Sequence, residues 1–222
     1  MSQPTLPTEV LNATLVVPLN FLALGDSYTI GEGISINDCW PRQLVKQLGK
    51  EQIVVAEPTI IAQTGWTTEE LDQAINESVL NPPYQLVTLL IGVNDQYRKY
   101  PIEHYAPRFT TLLERAIGFA GGRKDRVIVI SIPDWSVTPF AAKDSSSAIR
   151  ERISREIDAY NSVNLKIANK YNISYVDITP ITRRKGAQSE FLTSDDLHPS
   201  AAMYRDWVQL LLPVVRQALT GS

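Results

Sequence analysis

The sequence is poor in the residues that form disulfides and metal sites. Its 222 residues include one cysteine, Cys39, so no intramolecular disulfide can form. The two histidines, His104 and His198, are too few for a His-rich metal site. Neither sign of charge dominates, because 21 Lys and Arg stand against 24 Asp and Glu and the basic residues are dispersed. We therefore expect no nucleic-acid partner.

Long hydrophobic runs are also missing. A membrane-spanning helix needs about 20 mostly apolar residues, and the apolar stretch near the start, 15–24, is interrupted by Pro18 and Asn20. Residues 1–9 carry no positive charge and no signal-peptide pattern. We expect no stable membrane insertion and a cytoplasmic location, although a chain whose leader had been removed would have the same sequence. The sequence leaves the oligomeric state open.

What the sequence does contain is an alternation of apolar runs and amphipathic stretches. Continuous β-branched runs, as opposed to alternating ones, indicate strands that are covered on both faces, as in parallel sheets. Five strand regions are predicted on this basis, at 21–24, 53–56 with 60–62, 86–91, 126–132 and 173–178.

Helices are predicted between and after these strands. One begins after Thr67, a plausible N-cap, and others span 105–120, 145–171 and 201–219, with Pro213 expected to bend or split the last. Repeated strand–helix alternation is typical of an α/β fold with a parallel sheet. We predict one domain over residues 20–222, preceded by an N-terminal arm over 1–19.

Polar residues follow several of the predicted strands, where ligands bind in open parallel sheets. Ser27, Gly65 and Asn94 follow the first three strands, and Asp195 and His198 come before the last helix. A serine needs a base to become a nucleophile, and the base needs a carboxylate that fixes its orientation. The backbone N–H groups of Ser27 and Gly65 and the Asn94 amide can serve as oxyanion donors.

These residues lie in blocks that resemble a known family. Gly25-Asp26-Ser27, Gly65, Gly92-x-Asn94-Asp95 and Asp195-x-x-His198-Pro199 are similar to the motifs of the SGNH, or GDSL, hydrolases, a family of esterases and lipases. The resemblance spans residues 21 to about 200 in the family's order. It implies a three-layer α/β/α sandwich, flavodoxin-like, around a five-stranded parallel sheet.

The resemblance also implies the roles of the residues. Ser27 would be the nucleophile, His198 the base and Asp195 its orienting partner, with Ser27, Gly65 and Asn94 forming the oxyanion hole. It implies no metal and no organic cofactor. The family spacing selects Asp195 over its neighbour Asp196.

Other polar residues near the motifs have structural interpretations. We expect Asp26 to brace the turn at Ser27, Asp95 to hold its own loop, and His104 to be solvated. Four aromatic side chains beside the motifs are candidates for lining a substrate pocket, although core positions are equally plausible: Tyr28, Trp66, Tyr97 and Trp135.

The leading functional hypothesis is a serine esterase that hydrolyses small or soluble carboxylic esters through an acyl-enzyme on Ser27. No extended apolar lid segment is evident, which favours such esters over lipid aggregates. The alternatives are an O-acyltransferase or deacetylase acting on carbohydrate, and a non-catalytic binding module. An α/β-hydrolase fold is second to the SGNH fold, because no Gly-x-Ser-x-Gly segment occurs.

Overall fold

The computed structural model describes residues 17–221 and shows a five-stranded, all-parallel sheet in the order β2-β1-β3-β4-β5. The predicted parallel α/β fold is therefore confirmed. The strands are β1 (Phe21–Asp26), β2 (Thr59–Gln63), β3 (Leu86–Leu90), β4 (Val127–Ile130) and β5 (Ser174–Val176). Every residue of β1, β3 and β4 is buried, as expected for strands with helices on both faces.

The number of strands was predicted correctly, and most of the predicted strands were too long at their ends. The second region differs most, because only 59–63 forms the strand. Val55 instead makes an isolated parallel bridge with Leu19, whose N–H donates to the Val54 carbonyl. Leu19 thus extends the sheet just before β1, while residues 1–16 of the proposed arm lie outside the described residues.

The helices cover both faces of the sheet and frame its ends. They are α1 (Ser27–Ile30), α2 (Trp40–Lys50), α3 (Thr68–Glu77), α4 (Val93–Tyr97), α5 (Ile102–Phe119), α6 (Pro139–Asp144), α7 (Ser147–Tyr171), α8 (Thr179–Lys185) and α9 (Ala201–Thr220).

Thr67 caps α3 as predicted, in a capping box with Glu70. Two helix predictions need correction. Helix α2 was not predicted: its N-cap, Cys39, makes no side-chain capping bond, and Pro41 in its first turn is the start signal that was missed. Helix α9 runs through Pro213 without being split, and it buries Trp207, Val208 and Leu211 on its inner face.

The sheet order places the functional motifs together. β1 lies between β2 and β3 in the sheet. The connection after β1 therefore leads to the strand on one side of it, and the connection after β2 leads to the strand on its other side. Such a switch point opens a crevice beyond the carboxyl ends of the strands. Ser27, Gly65 and Asn94 follow these three adjacent strands and therefore meet at one edge of the sheet. None of the helices described between residues 17 and 221 is both long and apolar enough to cross a membrane.

Candidate active site

Ser27 is held at the sharp turn between β1 and α1. Asp26 is the N-cap of α1, and its Oδ1 accepts a hydrogen bond from the Tyr28 N–H at 3.0 Å. The turn is so tight that a Cβ added to Gly25 would lie 2.1 Å from Thr29 Oγ1 and 2.7 Å from the Leu90 carbonyl oxygen. Glycine at position 25 is thus what allows the strand to pass directly into a helix that begins with Ser27.

Asp26 does brace this turn, and its carboxyl is fully buried. Burial raises the pKa of Asp26 to about 8, against the opposing hydrogen bond from the Tyr28 N–H and with a smaller contribution from the Asp95 charge. Within the described residues, Asp26 Oδ2 has no hydrogen-bond partner. We infer that Asp26 is protonated in the folded protein at neutral pH.

Asp195 and His198 lie on one short loop, residues 193–199, which we call the acid–base loop. The His198 Nδ1 atom is 2.6 Å from Asp195 Oδ2. An ionised carboxylate can only accept, so Nδ1 carries the proton of this hydrogen bond and the Nε2 of a neutral imidazole is left as a proton acceptor. This is the orientation that a general base requires.

The Asp195 carboxylate is kept ionised by the loop itself. Its Oδ1 accepts from Thr193 Oγ1 at 2.6 Å and from the N–H groups of Leu197 and His198, both at 2.9 Å. Partial burial opposes ionisation, but these hydrogen bonds together with that from the His198 ring hold the pKa of Asp195 well below its usual range.

Asp196 and His104, the other aspartate and histidine considered for these roles, lie away from the contact between Asp195 and His198. Asp196 Oδ2 forms an ion pair with Lys143 Nζ at 2.7 Å and does not contact the imidazole. His104 is exposed in the first turn of α5. The structure therefore joins His198 to Asp195, the aspartate that the family spacing selects.

The predicted oxyanion donors come from the loops after β2 and β3. Gly65 has a φ of +85°, a left-handed conformation that favours glycine. Asn94 lies in the first turn of α4, and its Nδ2 donates to the Trp66 carbonyl oxygen at 2.9 Å. Because an amide nitrogen carries two hydrogens, one remains for a substrate oxygen.

The buried side chain of Asp95, next to Asn94, holds the start of α4 in place. Its carboxylate is buried and accepts from the Thr68 N–H at 2.9 Å and from Thr68 Oγ1 at 2.6 Å. Burial raises the pKa of Asp95, and the Thr68 hydrogen bonds oppose that shift. Asp95 therefore ties α4 to the start of α3.

One cavity of about 230 Å³ brings the predicted residues together. Ser27 and His198 both line it, together with Gly65 and Asn94. The lining is mainly apolar, and the full set is Ser27, Tyr28, Thr64, Gly65, Val93, Asn94, Tyr97, Trp135, Phe140, Leu197 and His198.

Three of the four aromatic candidates line the cavity, and one does not. Tyr28, Tyr97 and Trp135 line the cavity, and the Tyr28 ring lies 5.6 Å from the His198 ring, centroid to centroid. Trp66 is not among the lining residues; it packs against the core, and its carbonyl oxygen binds Asn94. Of the two positions that the sequence left open for Trp66, the structure shows the one against the core.

Several residues of the cavity were not predicted from the sequence. Leu197 lies between Asp195 and His198 in the motif and could have been found from that position. Phe140 belongs to α6, which was not predicted because the predicted helix began at residue 145, and nothing in its neighbourhood marks it. Over residues 17–221, no group of three His, Cys, Asp or Glu side chains is arranged to hold a metal ion.

Comparison with known proteins identifies the family. Residues 23–205 match the GDSL-like Lipase/Acylhydrolase family. The chain belongs to this family. It is accordingly a carboxylic ester hydrolase, and the match extends from β1 to the first turns of α9. No protein with a curated description matches the sequence significantly.

Solved structures of this GDSL-like hydrolase's relatives share its fold at low sequence identity. TesA is 17% identical with a TM-score of 0.69, and the match covers 90% of this chain and 99% of TesA. The psychrotrophic esterase EstA from Pseudoalteromonas sp. is 17% identical, with a TM-score of 0.62 and coverage of 90% and 98%. A variant of an acetyl xylan esterase from Geobacillus stearothermophilus is 19% identical, with a TM-score of 0.63 and coverage of 89% and 94%.

Proposed function

We propose that this GDSL-like hydrolase is a serine esterase in which Ser27 is the nucleophile, His198 the general base and Asp195 its orienting partner. The observation that carries the proposal is the geometry of His198. Its Nδ1 is bound by Asp195, while its ring lines the same cavity as Ser27. The imidazole is thus oriented with its other nitrogen free for proton transfer.

The reaction follows from these positions in two halves. His198 Nε2 takes the proton of Ser27 Oγ as Oγ attacks the ester carbonyl carbon, and the carbonyl electrons move onto the oxygen. The N–H groups of Ser27 and Gly65 and the Asn94 amide stabilise that oxyanion. The intermediate collapses, the alcohol leaves with the proton from His198, and an acyl-enzyme remains. Water deprotonated by His198 then releases the acid and restores Ser27.

The cavity favours a short acyl group. Its volume of about 230 Å³ is below the roughly 300–1,000 Å³ of pockets that hold drug-sized ligands. Aromatic and aliphatic side chains form most of its wall. We therefore propose small carboxylic esters as substrates.

Replacing the nucleophile tests this function. Ser27→Ala removes the attacking oxygen, and we expect hydrolysis of p-nitrophenyl acetate to fall by about 10³-fold or more with an unchanged Tm. Ser189→Ala, at an exposed serine outside the cavity, is the matched control. A fluorophosphonate probe should label the wild type and the Ser189→Ala variant but not Ser27→Ala. Undiminished turnover by Ser27→Ala would refute the proposal.

A second candidate is deacetylation of carbohydrate, or acyl transfer to it, by the same residues. A second cavity of about 350 Å³ shares Tyr97 and Trp135 with the first, and polar side chains line much of it, including Gln96, Arg152 and Glu156. Such a lining suits an alcohol rich in hydroxyl groups. The similar fold of the acetyl xylan esterase is consistent with this candidate.

A substrate panel separates the two candidates. Acetyl esters of p-nitrophenol, glycerol and xylo-oligosaccharide share the acyl group and differ only in the alcohol. A kcat/KM that rises with the polyhydroxylated alcohols supports the carbohydrate candidate, and product analysis with added acceptor sugar detects transfer. Equal kcat/KM values for the glycerol and xylo-oligosaccharide esters, with free acid as the only product, exclude it.

A further inference from the structure

The loop that carries Gly65 is held by hydrogen bonds, and the space into which a side chain at this position would project is nearly empty. A Cβ built on Gly65 would meet, apart from chain neighbours, one described atom within 4 Å: Arg98 Nη2, at 3.9 Å. Glycine is also the residue with the greatest backbone freedom. An oxyanion donor must nevertheless be fixed before the reaction begins, because its value lies in avoiding reorganisation. Something other than packing has to fix Gly65.

Arg98 is placed to do so. Its Nη2 donates to the Gly65 carbonyl oxygen at 2.6 Å, and its Nη1 lies 3.2 Å from Glu70 Oε1. The planar guanidinium presents several donors in a fixed arrangement, so two contacts orient it where one would leave it free to rotate. Arg98 therefore holds the peptide group that follows Gly65.

Glu70 links this contact to the start of α3. Its other oxygen, Oε2, accepts from the Thr67 N–H at 2.8 Å, while Oε1 binds Arg98. The carboxylate thus fixes both the guanidinium and the backbone two residues after Gly65.

The position of Arg98 in the chain is suited to this role. It follows Asn94 by four residues at the end of α4, and its N–H donates to the Asn94 carbonyl oxygen at 2.9 Å. Residues at this spacing lie on one face of a helix. The Asn94 side chain binds the Trp66 carbonyl oxygen and the Arg98 side chain binds that of Gly65, so one face of α4 holds two successive peptide groups.

We propose that Arg98 is a positioning residue for the oxyanion hole, acting through the Gly65 carbonyl oxygen to hold in place the loop that presents the Gly65 N–H. The inference rests on the proposed serine esterase function. Arg98 does not touch the reacting atoms in this role. Its loss lowers the rate of the chemical step and leaves substrate binding in the cavity largely intact.

The test compares Arg98 with a matched ion pair. Arg108 Nη2 lies 3.1 Å from Glu69 Oε2, and its side chain is 39% exposed, close to the 40% of Arg98, but it does not contact Gly65. Arg98→Met removes the donors while keeping an unbranched apolar side chain, and Arg98→Lys keeps the charge without the two-pronged geometry. Arg108→Met breaks the control pair.

We expect kcat for p-nitrophenyl acetate to fall about 10- to 100-fold in Arg98→Met, less than the roughly 10²- to 10³-fold loss of an entire oxyanion donor. KM should stay within about threefold of wild type, because ground-state binding does not depend on the oxyanion hole. Arg98→Lys should recover part of kcat, and Arg108→Met should match wild type. The acid limb of the pH–rate profile should not move in any variant, because His198 is untouched.

Equal kcat in Arg98→Met and Arg108→Met, or a loss confined to KM, overturns the inference. If Arg98→Met proves unstable, Arg98→Lys is used in its place, at a temperature well below its Tm. A fall in kcat with an unchanged KM then supports the role of Arg98. Failure of the proposed function is distinguishable: Ser27→Ala would then remain active. An inactive Ser27→Ala together with a fully active Arg98→Met refutes only the role of Arg98.

Discussion

His198 and Asp195 reach the cavity from one seven-residue loop, whereas Ser27, Gly65 and Asn94 reach it from the ends of three strands. In the acid–base loop, the hydrogen bonds to Asp195 come from residues at most three positions away. On the strand-end side, Thr68 and Asp95 are 27 positions apart and Gly65 and Arg98 are 33 apart.

The comparison shows that two parts of one site are held in place in different ways, one by local contacts and the other by contacts between distant parts of the chain. The acid–base loop fixes Asp195 and His198 by local hydrogen bonds, and its contacts with α6 are made through Asp196. The strand-end side depends on the sheet being formed, because only the sheet brings α3 and α4 together. Damage to the loop should therefore affect chemistry without stability, and damage to the strand-end side should affect both.

The largest effect is expected from breaking the acid–base loop at Asp195. Asp195→Asn removes the carboxylate that fixes the His198 tautomer, and kcat should fall by about 10³-fold or more. The neighbouring Asp196→Asn loses only an exposed ion pair with Lys143, so kcat should stay within about threefold of wild type. Steady-state kinetics with p-nitrophenyl acetate measures both.

Thermal unfolding of the same two variants is the control. Both should keep the Tm of the wild type to within a few degrees, because the substituted side chains are on the surface of the loop. Equal losses of activity in the two variants would mean that the Asp195–His198 contact does not orient the base.

The next effect comes from Asp26 on the strand-end side, whose pKa is raised, whereas that of Asp195 in the acid–base loop is lowered. Asp26 has a pKa of about 8 in the folded state and an ordinary value near 4 when unfolded. Between these values the folded state binds more protons, so Asp26 makes stability fall as pH rises from about 4 to 8, with no further loss above.

Asp26→Asn keeps the shape of the side chain and removes this titration. The Tm of Asp26→Asn relative to wild type should therefore rise between pH 5 and pH 9, by roughly 10 °C. The difference between the two proteins isolates Asp26, because all other groups titrate in both. A Tm difference that stays constant over this range would show that Asp26 is already ionised at pH 5.

The smallest effects come from a matched pair of threonines. Thr68 Oγ1 and Thr193 Oγ1 each donate to an aspartate Oδ1 at 2.6 Å, the first to Asp95 on the strand-end side and the second to Asp195 in the acid–base loop. Thr68→Val leaves a buried acceptor unsatisfied, which should cost about 1–3 kcal/mol of the free energy of unfolding. Thr193→Val leaves a partly exposed acceptor that water can reach.

We expect Thr68→Val to lower Tm by several degrees, about 2–4 °C for each kcal/mol. Thr193→Val should leave Tm almost unchanged and lower kcat by less than about tenfold. Chemical denaturation and steady-state kinetics on both variants provide the measurements. The contrast between the two sides fails if Thr193→Val is destabilised as much as Thr68→Val.

The same division explains what the sequence could predict. Asp195 and His198 are three residues apart, so their pairing is visible as a motif. Ser27 and Asn94 were candidates because they follow apolar runs predicted to be buried strands, and the resemblance to the SGNH motifs gave them their predicted roles. Arg98 carries no such signal, because its partner Gly65 becomes a neighbour only when the sheet has formed.

Two other outcomes have equally physical causes. Helix α2 begins at Trp40 with no side-chain cap, and the start signal from Pro41 was missed. Trp66 lies next to Gly65 in the chain, yet it packs against the core while Gly65 lines the cavity. Sequence proximity to a functional residue therefore did not determine which side chain reaches the substrate.

The acid–base loop is also closed on itself by backbone bonds. Thr193 N–H donates to the His198 carbonyl oxygen at 2.8 Å, and Ser200 N–H donates to the Phe191 carbonyl oxygen at 2.9 Å. An insertion or deletion between β5 and Phe191 therefore moves the acid and the base together as one unit. A change of length between β2 and α3, in contrast, alters the loop that carries Gly65 directly.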